Sequence, residues 1–195
     1  MLIDLLMENL WVSFGLWAGL FLLNNGLVSV TLRLYQRGAN KHFSYEVSPV
    51  LGPKFQKSVT GRWMDWRTLR ILLFGFLAFA LVWWNGRKIA RPEFFEGLLG
   101  AMWLICLAVL VRHSRSLLLY SYVSRSLGVS GKVEMAHWLT LRTSAAEFLG
   151  WALFFGVLFI LLGRWFFFGG SIACLISAVK QFGWSRQARR KAESV

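Results

Sequence analysis

Four long apolar stretches restrict the fold of this chain more than any other feature of its sequence. They cover residues 10–34, 68–84, 94–111 and 145–179. A helix that crosses the hydrocarbon core of a bilayer needs about 20 mainly apolar residues. Hydrophobic residues make up 56% of the chain and charged residues 16%, where a soluble domain has about 25% charged residues. The sequence therefore predicts an all-α, polytopic transmembrane helix bundle and excludes an ordinary soluble globule.

The last stretch, 145–179, is too long for one span. As a single helix it would measure more than about 50 Å, against a hydrocarbon core of about 30 Å. Arg164 lies near its middle, and an arginine at the centre of a span costs at least about 2.5 kcal/mol. We therefore predict two helices, 145–162 and 165–182, with Arg164 in the turn between them. A short or re-entrant fifth element is the alternative.

The distribution of positive charge predicts how the five spans are oriented. The chain begins with Asp4 and Glu8 rather than with Lys or Arg, which is unlike a cleavable signal peptide. With the N-terminus outside and the C-terminus inside, 18 of the 22 Lys and Arg residues lie inside and 4 lie outside. This excess matches the positive-inside bias, and we expect a bacterial or archaeal plasma (inner) membrane. The predicted single domain, 1–195, then has two basic cytoplasmic loops and a basic tail, at 35–67, 112–144 and 183–195.

Small residues recur one helical turn apart in four of the predicted spans. Such pairs allow helix backbones to approach closely, which favours helix association in lipid. They predict a packed bundle and identify no partner. The pairs are Gly15/Gly19, Gly97/Ala101, Ala152/Gly156 and Gly169/Ala173.

Two sets of polar residues are candidates for contacts between spans. Asn24 and Asn25 lie inside the first span, where an amide hydrogen bond to a neighbouring helix contributes about 0.6–2 kcal/mol. A transport site and a break in the helix are the alternatives. Glu147 lies at the same predicted level as Arg112 and Arg115, which predicts an ion pair between spans three and four. A solvated carboxylate at the interface is the alternative.

The residues that usually carry catalysis or bind cofactors are sparse. No Asp or Glu lies at the centre of a predicted span, which argues against transport driven by a buried carboxylate. No two histidines are spaced four residues apart, the two cysteines lie singly in apolar runs, and no GxSxG, P-loop, GxGxxG or HExxH motif occurs. We therefore predict no metal and no cofactor. These histidines and cysteines are His42, His113, His137, Cys106 and Cys174.

The net charge of +13 predicts contact with anionic lipid headgroups rather than with nucleic acid, because the basic residues are divided among loops between apolar spans. An alternative role for these charges is to set the topology alone. The residues predicted to contact anionic lipid or a partner are Arg67, Arg70, Arg186, Arg189, Arg190 and Lys191.

Three functions are compatible with this sequence. The first is a non-catalytic structural or accessory subunit that packs against other membrane proteins or against itself, because packing features are present and catalytic motifs are absent. The second is a transporter or channel for a small or anionic solute, lined by Asn24, Asn25 and Arg164. The third is a lipid-headgroup enzyme at the cytoplasmic interface. Its four polar residues would be Arg112, His113, Glu147 and His137.

Overall fold

The computed structural model describes residues 2–37, 66–88, 92–124 and 136–193, and this part of the chain is almost entirely helical. A short helix, α1 (Leu2–Glu8), precedes five long ones. The five are long and apolar enough to cross a membrane, which confirms the predicted polytopic helical fold with five spans. The long helices are α2 (Leu10–Arg37), α3 (Trp66–Lys88), α4 (Pro92–Ser124), α5 (His137–Leu162) and α6 (Trp165–Glu193).

Short local signals determine where several helices begin and end. Asn9 separates α1 from α2, and its Oδ1 accepts hydrogen bonds from the amides of Trp11 and Val12 at 3.1 and 3.2 Å, as an N-cap residue does. Pro92 begins α4. Proline is well suited to this position, because an N–H at the first residue of a helix has no acceptor within the helix. Gly163 ends α5 with a φ of 63°, a left-handed conformation that glycine adopts without strain.

The turn at Gly163 and Arg164 divides the last apolar stretch into two helices, as predicted. The alternative of a short or re-entrant fifth element is wrong, because α6 continues without interruption to Glu193. The second half of α6 is rich in Arg, Gln, Ala and Lys, which are strong helix formers. The helix therefore continues after its apolar part has ended.

The helices extend beyond the apolar stretches at several other places. The predicted loop 112–144 is helical over 112–124 and over 137–144, and the predicted tail 183–195 is helical as far as Glu193. Hydropathy marks the part of a helix that lies in lipid, whereas backbone hydrogen bonds continue the helix outside it. Most of the predicted loop 35–67 lies outside the described residues.

Helix α4 is the central element of the bundle. It packs against α6 on one side and against α2 on another, and α5 packs along α6. Helix α3 contacts α2 and α4, and α1 lies against the same two helices. The buried apolar core draws on all six helices. Its residues are Leu6, Trp17, Phe79, Leu99, Leu104, Ala108, Phe148, Ala152, Phe155, Phe166, Cys174 and Ala178.

The α4–α6 contact is made by glycines. A Cβ on Gly169 would overlap the carbonyl of Gly97, and a Cβ on Gly100 would overlap the carbonyl of Phe166. Because these residues have no side chain, the two backbones touch directly, which is the close approach that small residues permit in a membrane.

The α2–α3 contact is made by aromatic rings. Phe79 lies 5.4 Å from Trp17 and 6.1 Å from Phe14 between ring centroids. Phe76 stacks on Trp11 at 5.7 Å. Only 6% of the apolar window of α3 is buried, against 22–33% for the other four spans. Helix α3 is therefore the most loosely attached span.

Candidate functional site

A charged cluster lies at the turn between α5 and α6. Arg164 Nε donates a hydrogen bond to Glu96 Oε1 at 2.7 Å, and Arg164 Nη2 donates one to Asp4 Oδ1 at 2.9 Å. We call Asp4, Glu96 and Arg164 the Arg164 cluster. It joins α1, the beginning of α4 and the α5–α6 turn, which lie far apart in the sequence.

The charges in the Arg164 cluster stabilise one another. Hydrogen bonds from the chain's amino group and from Arg164 lower the pKa of the Asp4 carboxyl to about 2. Asp4 and then Glu96 raise the pKa of the Arg164 guanidinium above its ordinary range. Arg164 therefore lies between two carboxylates, those of Asp4 and Glu96.

An apolar cavity of about 680 Å³ lies beside the Arg164 cluster. Asp4 and Arg164 are its charged lining residues, and the other lining residues are apolar side chains from α1, α2, α4, the end of α5 and α6. Arg164 is already paired with two carboxylates, so it offers no unneutralised charge to an anion in this cavity.

A second charged cluster joins α4 to α5. Glu147 forms ion pairs with Arg115 and with Arg112, the latter at 3.9 Å between Nε and Oε2. We call Arg112, Arg115 and Glu147 the Glu147 cluster, and its net charge is +1. This is the contact between spans three and four that the sequence predicted as one of two alternatives. The side chain of Glu147 is 25% exposed and that of Arg112 is 14% exposed, so the pair is largely shielded.

The two charged clusters lie at different depths. Glu96 and Arg112 are 16 residues apart on α4, which corresponds to about 24 Å along the helix axis. Sequence reasoning missed the Arg164 cluster, although the predicted topology assigned Asp4, Glu96 and Arg164 to the same outer level. Their shared level in the membrane could have predicted that these three residues form ion pairs.

Three of the buried polar atoms that have no hydrogen-bond partner among the described residues lie near the level of the Glu147 cluster. They are His113 Nδ1 on α4, Ser144 Oγ on α5 and Gln181 Oε1 on α6. All three residues are more than nine-tenths buried. No pattern in the sequence predicts that Ser144 and Gln181 are buried, because which face of a helix is buried depends on its neighbours.

Asn24 connects α2 to α4. Its Nδ2 donates a hydrogen bond to the Cys106 carbonyl at 3.0 Å, which is the interhelix contact predicted for this residue. The alternative of a helix break is wrong, because α2 runs unbroken through Asn24 and Asn25. Cys106 is ten residues from Glu96 on α4, or about 15 Å. Asn24 and the Glu96-bound Arg164 therefore do not line one site.

The predicted small-residue pairs differ in whether they lie at contacts between helices. Gly97 and Gly169 meet in the α4–α6 contact. Ala101 lines a surface groove beside them, and Ala173 is half-buried on α6. At the α5–α6 contact, Ser171 Oγ donates a hydrogen bond to the Ala152 carbonyl at 2.8 Å.

Gly156 lies at the same α5–α6 contact, where a Cβ would be 3.5 Å from Ser171 Oγ. Gly15 and Gly19 differ, because a Cβ on either residue would meet no atom within 4 Å. This pair on α2 has no neighbouring helix in the described part of the chain.

The predicted basic contact residues are divided between two helices. Arg70 lies on α3, with its guanidinium 5.4 Å from the centroid of the Trp66 ring. Arg186, Arg189 and Arg190 are exposed on α6. The side chains of Arg67 and Lys191 lie outside the described residues.

The four residues of the enzyme hypothesis do not form one site. Glu147 contacts Arg112, but His137 begins α5 ten residues before Glu147, about 15 Å away along the helix. Within the described ranges, no group of three or more His, Cys, Asp or Glu side chains could hold a metal ion.

Comparison with protein-family models, curated proteins and solved structures gives no match.

Proposed function

We propose that this multi-pass membrane protein is a non-catalytic subunit, which packs through the open face of α2 against a transmembrane helix of another membrane protein. The observation that carries this proposal is the open Gly15/Gly19 pair. The other glycine and alanine pairs lie at contacts within the chain, in whole or in part. Small residues are enriched where transmembrane helices associate.

The register of α2 supports this assignment. At about 100° per residue, Gly15 lies on the opposite side of α2 from Asn24, which binds α4. Gly19 and Gly26 lie on the same side as Gly15, with Leu22 between them, and Gly15 and Gly19 form the open part of this glycine track. A partner helix can approach Gly15 and Gly19 closely without displacing any contact made by the described residues.

The geometry gives less support to the two other functions. A transport path would need polar groups along the bundle, but Asn24 is bonded to α4 and Arg164 is neutralised about 15 Å away. The headgroup enzyme would need His137 close to Glu147, and the two lie about 15 Å apart along α5.

We propose the same orientation as the sequence predicted, with the N-terminus outside and the C-terminus inside. The Glu147 cluster carries a net charge of +1, whereas Arg164 is neutralised by its carboxylate partners. Positive charge is retained on the inner side of a membrane. The excess positive charge of the Glu147 cluster therefore supports an orientation that places this cluster on the inner side.

Site-specific photo-crosslinking in native membranes tests the subunit proposal. A photoreactive residue at Leu22, on the same side of α2 as Gly15 and Gly19, should give one defined protein product. The same residue at Leu153, which is 65% exposed on α5, should react with lipid only. The mass of the product distinguishes a different protein from a second copy of this chain.

Glycine substitutions provide the matched control. Gly19→Leu should abolish the crosslink from Leu22, because the larger side chain fills the track. Gly150→Leu should leave it intact, since Gly150 is equally open but lies on α5. Only lipid products from Leu22, or equal loss with both substitutions, would contradict the proposal.

A further inference from the structure

A basic pocket lies between α5 and α6, near the end of the bundle that is remote from the Arg164 cluster. Its volume is about 250 Å³. Three arginines from two helices line it, together with an indole, a phenyl ring and a hydroxyl group. We call this set the basic pocket, and its residues are Trp138, Arg142, Phe182, Ser185, Arg186 and Arg189.

The wall of the basic pocket is fixed by contacts between the two helices. Ser185 Oγ on α6 donates a hydrogen bond to the Trp138 carbonyl on α5 at 2.7 Å. The Arg189 guanidinium lies 5.6 Å from the centroid of the Trp138 ring, a cation–π distance. The pocket is therefore organised before any ligand binds.

The basic pocket has an excess of positive charge. Arg142, Arg186 and Arg189 contribute three positive charges, and Arg189 Nε donates a hydrogen bond to Glu193 Oε1 at 2.7 Å. Glu193 therefore neutralises one of the three, which leaves a net charge of +2. Guanidinium groups bind phosphate through paired, charge-assisted hydrogen bonds.

The depth of the basic pocket corresponds to lipid headgroups. Arg142 lies 20 residues from Leu162, where α5 ends, or about 30 Å along the axis. Arg186 lies 21 residues from Trp165, where α6 begins, or about 32 Å. The hydrocarbon core is about 30 Å thick, so both arginines reach the phosphate level on the other side.

Apolar surface continues from the basic pocket into the membrane. Leu149 is seven residues from Arg142 and therefore lies on the same face of α5. Val179 is likewise seven residues from Arg186 and lies on the same face of α6. Both apolar residues are exposed. An acyl chain can follow these faces while its headgroup occupies the pocket.

We propose that the basic pocket binds the headgroup of a phospholipid that carries two negative charges. This site is independent of the proposed partner surface, because it lies on α5 and α6 and not on α2. Phosphatidate and cardiolipin are the lipid classes whose charge matches the pocket. Basic pockets between transmembrane helices recognise such headgroups.

Native mass spectrometry of the full chain in detergent tests this proposal. Phosphatidate or cardiolipin should bind more tightly than phosphatidylglycerol, and phosphatidylcholine should bind weakest. Arg142→Gln and Arg189→Gln should each weaken binding about tenfold, because each variant loses charge-assisted hydrogen bonds to the phosphate. Arg190→Gln is the matched control, because Arg190 is also exposed on α6 but does not line the pocket.

A fourth variant tests the charge balance in the opposite direction. Glu193→Gln should strengthen binding severalfold, since it releases Arg189 from its carboxylate partner. Equal losses with Arg189→Gln and Arg190→Gln would overturn the pocket and leave only general attraction of charge.

A separate measurement distinguishes a lipid headgroup from a free anion. Calorimetry with inorganic phosphate alone, in detergent without phospholipid, should give no binding that depends on Arg142. Binding of inorganic phosphate as tight as that of the lipid, and lost in Arg142→Gln, would overturn the assignment to a lipid.

Discussion

The contacts α4–α6 and α2–α3 show two opposite ways of joining transmembrane helices. In the first, Gly97, Gly100 and Gly169 let two backbones touch. In the second, large rings such as Phe79 and Trp17 fill a wider space between the helices. Lipid is as apolar as these rings, so burying them gains little from the hydrophobic effect, and close packing determines how firmly a helix is held. The α4–α6 pair should therefore be the rigid centre of the molecule and α3 its loose edge.

The largest expected effect comes from separating the α4 and α6 backbones. Gly169→Leu places a side chain where the Gly97 carbonyl lies, so we expect the free energy of unfolding to fall by about 3 kcal/mol. Thermal unfolding in detergent, followed by circular dichroism, measures this loss. Gly183→Leu on the same helix is the control and should change stability little, because a Cβ there meets no atom within 4 Å. Equal effects would show that the glycine contact is not the rigid centre.

A smaller effect is expected at the aromatic contact. Phe79 is buried and packs on Phe14 and Trp17, so Phe79→Ala should reduce the free energy of unfolding by about 1–2 kcal/mol through lost ring contacts. Phe74→Ala, at a position 67% exposed on the same helix, should be nearly neutral. Hydrogen exchange should increase in α3 of the Phe79 variant and not in α4 or α6. Exchange that spreads equally over all helices would contradict a loosely attached α3.

The smallest effect concerns the Arg164 cluster, which connects α1 to the end of the α4–α6 contact. The pKa of Asp4 is lowered from its ordinary value of 3.8 to about 2. The contribution of its ionised form to stability is therefore complete above about pH 4 and is lost as the pH falls towards 2. The melting temperature of the unaltered chain should exceed that of Asp4→Asn at pH 5. This difference should fall by more than half by about pH 2, and a difference that stays undiminished there would contradict the ion pair.

Some of these features could be predicted from the sequence because they depend on depth alone. Arg164 had to leave the lipid, which predicted the turn between α5 and α6. The predicted topology also assigned Glu147, Arg112 and Arg115 to one level, which favoured their pairing. Both predictions depend only on the order of charged residues along a chain that crosses the membrane back and forth.

Other features could not be predicted, because they depend on which helices are neighbours. Hydropathy gives α2 and α3 similar apolar stretches, yet only the packing reveals that α3 is the exposed edge. The basic pocket needs Arg142 and Arg186 on adjacent helices, and no periodicity within either helix shows that adjacency. The helical extensions were missed because hydropathy detects lipid rather than backbone hydrogen bonds.

Labelling from the two sides of the membrane shows whether the chain crosses it an odd number of times. Cys106 and Cys174 are first replaced by alanine, and Glu8→Cys and Ala192→Cys are introduced separately at exposed positions near the two ends. An impermeant maleimide added to intact cells should label the cysteine at position 8 and should reach position 192 only after permeabilisation. Labelling of both positions in intact cells, or of neither, would contradict the five-span account.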